Sequence, residues 1–338
     1  MIQTESELEE HLSVPTPEVV ETMRRTQGDI VVLGVAGKMG PTLARMARRA
    51  TDLAGVTRRI LGVSRFTSDD PQSLQVHGVE PLRCDLLDPA QVARLPDAPN
   101  VIYMAGRKFG STGDESTTWA HNSYLPGLIC QRYQGSRIVA FSTLNVYGLV
   151  PIAGPGARET DALNPVGEYA MSCLGRERIF EYFSKQYRTP VALLRLNYAC
   201  ELRYGVLVDL ARMVWDDRPI PLGVGYFNVI WQGDANAMSL RALEHTASPA
   251  WVANVSGSAR MSVRAVCLRF GELLQKQVTF EGTEGDSGIF ADANFGQNML
   301  GKPQMPTAQL MELIAAWVQR GGRNFGKSTH FEARDGKY

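Results

Sequence analysis

The first residues in the chain whose types and spacing point to chemistry are Gly34-Val35-Ala36-Gly37-Lys38-Met39-Gly40. They follow the apolar run Ile30-Val31-Val32-Leu33 and precede a segment, residues 41–50, with helical spacing. Between a strand and a helix, each glycine has a separate task. Gly34 permits a tight turn, Gly37 lets the backbone approach a pyrophosphate, and Gly40 lets helix and strand pack closely. The free N–H groups and positive dipole end of the following helix then face the phosphates. The turn, with Ala36, Lys38 and Met39 between its glycines, is a candidate dinucleotide cradle. The end of the next strand, Val63-Ser64-Arg65, bears on which dinucleotide. NAD sites usually place a carboxylate there for the adenosine ribose 2′-hydroxyl, and NADP sites a cation for the 2′-phosphate. Ser64 and Arg65 supply a guanidinium and no carboxylate, and Lys38 could add charge to the same phosphate. NADP is therefore expected, with NAD the alternative. The competing reading makes Arg65 and Lys38 solvated surface residues.

The elements that must position this turn follow from periodicity. Residues 4–26 read as helical, with Thr16 as an N-cap and Pro17 at the first helical position. The short apolar run at 30–33 has the form of a strand buried on both faces, and further strands are read at 60–63, around 79–84, and at 101–104, 138–141 and 191–194. Helical stretches at about 118–133 and 167–186 separate the later ones. The expected fold class is α/β, a Rossmann-type doubly wound parallel sheet with a smaller C-terminal substrate lobe. The expected division is an N-terminal helical extension (1–27), a dinucleotide-binding domain (28–200), a mainly substrate-binding lobe (201–320) and a polar tail (321–338). The tail lacks periodicity and is expected to be mobile, or ordered only against a partner.

Composition narrows the partners. Apolar residues make up 44% of the 338, enough to bury a substantial core. The 35 basic and 35 acidic residues cancel, which argues against nucleic acid and against a membrane surface as partners. No apolar run approaches the roughly 18 residues that cross a bilayer, and the acidic N-terminus has no apolar signal core. A cytoplasmic location is expected. The five cysteines are scattered, with no metal-ligand or disulfide spacing. Four of them read as small buried hydrophobes. Cys173 is the exception.

Several segments together resemble the extended short-chain dehydrogenase/reductase family, which includes NAD(P)-dependent epimerases and dehydratases. They are the glycine turn; Cys84-Asp85-Leu86 after the third strand; Met104-Ala105-Gly106 after the fourth; Phe141-Ser142-Thr143-Leu144-Asn145-Val146-Tyr147-Gly148 after the fifth; Tyr169 at a helix start; and Asp234 further on. The resemblance implies that Asp85 accepts from the adenine amino group and Leu86 packs on the ring. It places Met104, Ala105 and Gly106 along the cofactor. It implies that Thr143 hydrogen-bonds the reacting oxygen while Tyr169 exchanges its proton, with hydride moving at the nicotinamide. It also implies a homodimer formed through the helices at 118–133 and 167–186.

The family's tyrosine is followed four residues later by lysine, whereas here that position holds Cys173. Residues four apart share a helix face, so Cys173 points where an ammonium should be. Three readings stay open. Tyr169, at the ordinary phenol pKa of about 10, can still donate a proton in carbonyl reduction. Another cation, Arg176, Arg107 or Lys108, can replace the lysine. Or catalysis is lost and the fold persists as a cofactor-binding or scaffold protein. Cys173 as a nucleophile is disfavoured because no histidine is local to it. Arg107 and Lys108 are also candidates to clamp an anionic substrate group. Asn145, Asn197, Phe227 and Trp231 complete the candidate substrate contacts, and Phe227 stands where nucleotide-sugar enzymes of the family carry an arginine. The substrate expected is a small polar carbonyl or hydroxyl compound.

Overall fold

The computed structural model describes residues 2–67, 70–108 and 110–337. Its centre is a seven-stranded parallel sheet: β1 (Ile30–Leu33), β2 (Ile60–Ser64), β3 (Glu80–Arg83), β4 (Asn100–Tyr103), β5 (Arg137–Thr143), β6 (Val191–Leu196) and β7 (Trp251–Val255). The spatial order is β7-β6-β5-β4-β1-β2-β3. The winding reverses between β1 and β4, and a crevice opens beyond the carboxyl ends of the strands at such a reversal. Alternation along β1 shows why the strand is apolar throughout. Ile30 and Val32 enter the core on one side of the sheet, and Val31 and Leu33 enter the core on the other. The Rossmann-type α/β class expected from the strand–helix rhythm is the class observed.

The helices that matter for the cleft are α1 (Glu5–Leu12), α2 (Pro17–Arg25), α3 (Gly40–Leu53), α4 (Leu125–Arg132), α5 (Gly167–Tyr187), α6 (Val206–Trp215), α7 (Gln232–Arg241), α8 (Val263–Leu274) and α9 (Thr307–Gln319). Thr16 caps α2 through the Val19 N–H, with Pro17 at the first helical position. The N-terminal helices are not an appendage. Val19 and Met23 of α2 pack in the core of the sheet, whereas Leu8 and Leu12 of α1 pack in the core of the second lobe. That second core is built around Leu207 and Leu210 of α6, Phe270 of α8, and Ile314 and Trp317 of α9. No helix among the described residues is long and apolar enough to cross a membrane.

Two expectations change. The sheet crosses the boundary placed near residue 200, because the chain returns from the second lobe to add β7 beside β6, pairing Trp251 with Ala192 and Val255 with Leu196. The tail is ordered, and against its own chain. Phe325 N donates to Arg203 O at 3.1 Å, Phe331 is buried, and Arg334 donates to Gly223 O at 2.7 Å and to Ser287 Oγ at 2.9 Å. Near its end, Gly336 lies so close to Gly167 that a Cβ on Gly167 would collide with the Gly336 carbonyl. The tail is held by scattered hydrogen bonds, the buried Phe331 and close backbone contacts, which leave no periodic pattern.

Helix α5 is tied to the sheet by a buried ion pair. The Glu177 carboxylate is fully buried and accepts from Arg195 on β6 at 2.8 and 3.1 Å, and from Ser142 Oγ on β5 at 2.5 Å. Arg195 also donates to the Tyr147 hydroxyl at 2.7 Å. Removing one partner strands the other charge in the interior, at a cost of about 3–5 kcal/mol. Urea denaturation of Arg195→Met should show that loss, and the double variant Glu177→Leu/Arg195→Met should recover part of it. Equal losses in the two would contradict the pairing.

Candidate active site

The glycine turn follows β1 and opens α3, as its sequence context requires. Gly34 has φ +85°, and a Cβ there would meet Ala105 N at 2.7 Å. A Cβ on Gly40 would collide with the Val35 carbonyl. Main-chain bonds from Gly34 N and Val35 N to Val63 O, at 2.9 and 3.1 Å, pin the turn to β2. Gly37 is exposed, and a Cβ on it would meet only Gly34 O, at 3.3 Å. Its backbone is therefore open to a ligand.

Two cavities meet at this turn, and Gly37 and Lys38 line both. The first, about 480 Å³, runs past Ala36, Phe66 and His77 to Arg203 and the tail. The second, about 390 Å³, is lined by Met39, Met104, Gly106, Thr143, Asn145 and Tyr169, among others. These volumes suit a small-molecule site. Open backbone at Gly37, a helix N-terminus at Gly40 and space on both sides of the turn fit a dinucleotide.

Ser64 closes β2 half-buried, and Arg65 is exposed with its carbonyl accepting from Arg83 at 2.9 Å. Two guanidiniums thus stand at the strand ends, and Arg83 was not anticipated. Asp85 is half-buried and accepts from Leu87 N at 3.0 Å, while Leu86 is buried in the core. Ala105 is buried beneath Gly34. Lys38, expected to add charge at the 2′-phosphate, instead has its ammonium 3.2 Å from the centre of the Tyr204 ring. Burial, reinforced by Lys108 and Lys327, pushes it down to about 6.

Thr143 closes β5 and is 8% exposed, and Tyr169 stands in the first turn of α5. Cys173 lies one turn later, fully buried in an apolar cluster with Leu144, Val146 and Ile289. Burial pushes its thiol up, and the Arg176 charge and a hydrogen bond from Tyr169 oppose that only in part. This is the environment of an inert thiol, not of a nucleophile.

The cations differ in their employment. Arg176 is buried beneath Gly106 and donates to Phe141 O at 2.8 Å, Asn122 Oδ1 at 2.6 Å and Asn122 O at 3.4 Å. Arg107, expected to clamp substrate, has its guanidinium on Asp114 at 2.7 Å and Gly110 O at 2.9 Å. Lys108 lies with its ammonium 5.9 Å from the centre of the Tyr169 ring and donates to Thr329 O at 3.1 Å. Asn197 lines the cavity while its amide donates to Asn228 O at 2.8 Å and to the Asn228 side chain.

Two substrate assignments fail. Phe227 and Trp231 are buried in the second-lobe core and are not among the described residues lining the Tyr169 cavity. The apolar bulk of Phe227, which stands at the expected arginine position, and of Trp231 is spent on packing. Asp234 is likewise structural here, accepting from Met305 N at 3.0 Å.

Sequence reading missed Asn122. It sits in a π-helical turn, Ala120–Tyr124, just before α4. Its amide donates to Arg107 O and Ser172 Oγ, both at 2.9 Å, and accepts from Arg107 N at 2.8 Å. Its carbonyl is available to Arg176 for a local reason. The residue four positions on is Pro126, which has no N–H to give it. A proline placed four residues after a polar one inside a helical stretch is the signal that could have identified it.

The model of the NAD dependent epimerase/dehydratase family matches residues 30–200. Among solved structures, UDP-glucuronic acid 4-epimerase from Bacillus cereus in complex with NAD is similar, with 18% identity and a TM-score of 0.71, over 86% of this chain and 96% of that one. The UDP-glucose 4-epimerase of Thermus thermophilus in complex with NAD has 18% identity and a TM-score of 0.69, over 86% and 99%. The dTDP-glucose 4,6-dehydratase of Bacillus anthracis in complex with NAD has 17% identity and a TM-score of 0.70, over 87% and 97%. At these identities the likeness is one of fold. A comparison with curated proteins gave no significant match. The family match covers the glycine turn, the Thr143 strand end and the Tyr169 helix start together, and the chain belongs to the NAD-dependent epimerase/dehydratase family.

Proposed function

We propose that the chain is an NAD(P)-dependent oxidoreductase of the extended short-chain type, acting on a small polar carbonyl or hydroxyl compound with Tyr169 as proton donor. The observation that carries this is the shared cavity, which brings the Thr143 and Tyr169 side chains and the glycine turn to one space. A bound nicotinamide dinucleotide would supply or take the hydride. Gly37, Met39, Gly40, Met104 and Gly106 would hold it along the floor of that cavity. Thr143 would hydrogen-bond the reacting oxygen, and Tyr169 would pass it a proton. Lys108 and Lys327 line the cavity and favour a substrate that carries an anionic group. Arg65, with Arg83 beside it, supports NADP over NAD.

A second reading, a sugar-nucleotide epimerase or dehydratase, is favoured by the activities named for the structural relatives. Elimination chemistry needs a second acid or base, and the described residues lining the Tyr169 cavity include no carboxylate or histidine. A homodimer is supported by Trp119 and Tyr124 on one side and Met171 and Tyr182 of α5 on the other, all exposed apolar side chains on the two helical segments expected to pair. A cytoplasmic location fits five free, buried cysteines.

Three measurements test this reading. Calorimetric titration should give tighter binding of NADP⁺ than of NAD⁺ by a factor of roughly ten or more, one charge-assisted contact's worth, and Arg65→Ser should erase the difference. A wild-type preference for NAD⁺ would overturn the NADP assignment, and no binding of either would favour the scaffold reading. In a carbonyl-substrate screen with NADPH, Tyr169→Phe should lower turnover by about 10²-fold or more, and undiminished turnover would remove Tyr169 from the mechanism. Light scattering should report a dimer that becomes monomeric in Tyr124→Glu/Tyr182→Glu, whereas a wild-type monomer would reject the proposed interface.

A further inference from the structure

A phenol that takes a proton back near neutral pH needs a positive charge close by to stabilise its phenolate. On α5 the side chain one turn after Tyr169 is the Cys173 thiol, which supplies none. Two cations reach this neighbourhood, from different places: the Arg176 charge acts on Cys173 and Tyr169 from its buried position, and Lys108 comes from a loop. Arg176 spends Nη1, Nη2 and Nε on the Phe141 carbonyl and on both oxygens of Asn122. It lies below Gly106 and binds the end of β5 to the π-helical turn. Lys108 comes instead from the loop after β4 and presents its ammonium to the Tyr169 ring at 5.9 Å from the centre.

Lys108 is held from the opposite side by the tail. Its ammonium donates to the Thr329 carbonyl at 3.1 Å. Thr329 is 1% exposed and is itself fixed to Asp209 of α6, through its N–H at 2.8 Å and its hydroxyl at 2.6 Å. The tail then continues over the start of α5, where Gly336 abuts Gly167, two residues before Tyr169. A chain of fixed groups therefore runs from α6 through Thr329 to Lys108 and on to Tyr169.

We propose that Lys108, in addition to the buried Arg176, is a cation that serves Tyr169, and that the C-terminal tail positions it through the Thr329 carbonyl. The inference rests on Tyr169 being the proton-transfer group. Lys108 keeps its own protons in this scheme. The proton moves between the Tyr169 oxygen and the substrate oxygen, and the ammonium stabilises the phenolate left behind. Lys108 and Thr329 are positioning residues, acting through Tyr169.

The groups facing Lys108 are Cys173 on α5, Lys38 in the glycine turn, Asp209 on α6 and Glu332 in the tail. Burial pulls its ammonium down to about 8, while Asp209, Cys173 and Glu332 act in the opposite direction. The charge is present below about pH 8 and lost above it. The help it gives Tyr169 belongs to neutral and mildly acidic solution.

The test reads Tyr169 directly in the full-length protein labelled with ¹³Cζ-tyrosine, its resonance assigned with Tyr169→Phe, and titrated by NMR. Tyr169 should begin to ionise below about pH 8, while Lys108 is still charged, and about one pH unit or more lower than in Lys108→Met. Lys108→Arg should restore most of the difference. Thr329→Pro, which removes both bonds to Asp209, should shift Tyr169 in the same direction as Lys108→Met. The same Tyr169 titration in wild type and Lys108→Met, with the remaining tyrosine resonances undisturbed, would overturn the proposal. A shift in Lys108→Met without one in Thr329→Pro would overturn the tail's part. Calorimetric titration of the same samples with NADP⁺ keeps the two readings separate, since failure to bind nucleotide would count against the proposed function and leave the Lys108–Tyr169 coupling measured.

Discussion

Two adjacent buried charges of opposite sign on α5, Arg176 and Glu177, set the geometry of the cleft. An uncompensated charge in the interior costs several kcal/mol, so the helix can settle only where both are answered. Glu177 is answered by Arg195 and Ser142, which fixes the helix against the end of β5 that carries Thr143. Arg176 is answered by neutral oxygens, the Phe141 carbonyl and both oxygens of Asn122. Tyr169 lies seven residues before Arg176, about two turns along the same face. Its relation to Thr143 is thus inherited from charges buried beneath the cleft.

The neutral answer to Arg176 depends on a defect in another helix. Pro126 withholds an N–H from the Asn122 carbonyl, the helix relaxes into a π-helical turn, and the released oxygen becomes an acceptor. The Asn122 side chain then clasps the backbone of Arg107, which sets the start of the loop that carries Lys108. A missing backbone donor is in this way coupled to the placement of a cation some distance away. The tail completes the arrangement from outside, with Thr329 fixed to Asp209 and accepting from Lys108.

What could be read from the residues divides along physical lines. The strands, the glycine turn and the capped α2 were legible because burial on both faces, close backbone approach and capping each demand particular residue types. Thr143 and Tyr169 were singled out by the family resemblance of the segments that carry them, and one cavity is lined by both. Asn122 was not, since its role comes from a bond that a distant proline fails to make. The tail was not, because glycines and isolated polar anchors have no period. β7 was not, because a short edge strand with Asn254 in it looks like the loops around it. Phe227 and Trp231 were misassigned because an aromatic residue at a family position looks the same in a core as in a pocket. For Lys108 the sequence left three cations in contention, and their places around Tyr169 come only from the structure.

The central claim is that one cleft, built on the glycine turn and closed by the tail, brings a nicotinamide dinucleotide to Tyr169. The most direct measurement is a crystal structure of the full chain grown with saturating NADP⁺. The account predicts the pyrophosphate on the backbone of residues 37–40 and the nicotinamide in the cavity between Thr143 and Tyr169, with Lys108 still on the Thr329 carbonyl. Nucleotide bound elsewhere, or a nicotinamide kept out of that cavity by the tail, would contradict it.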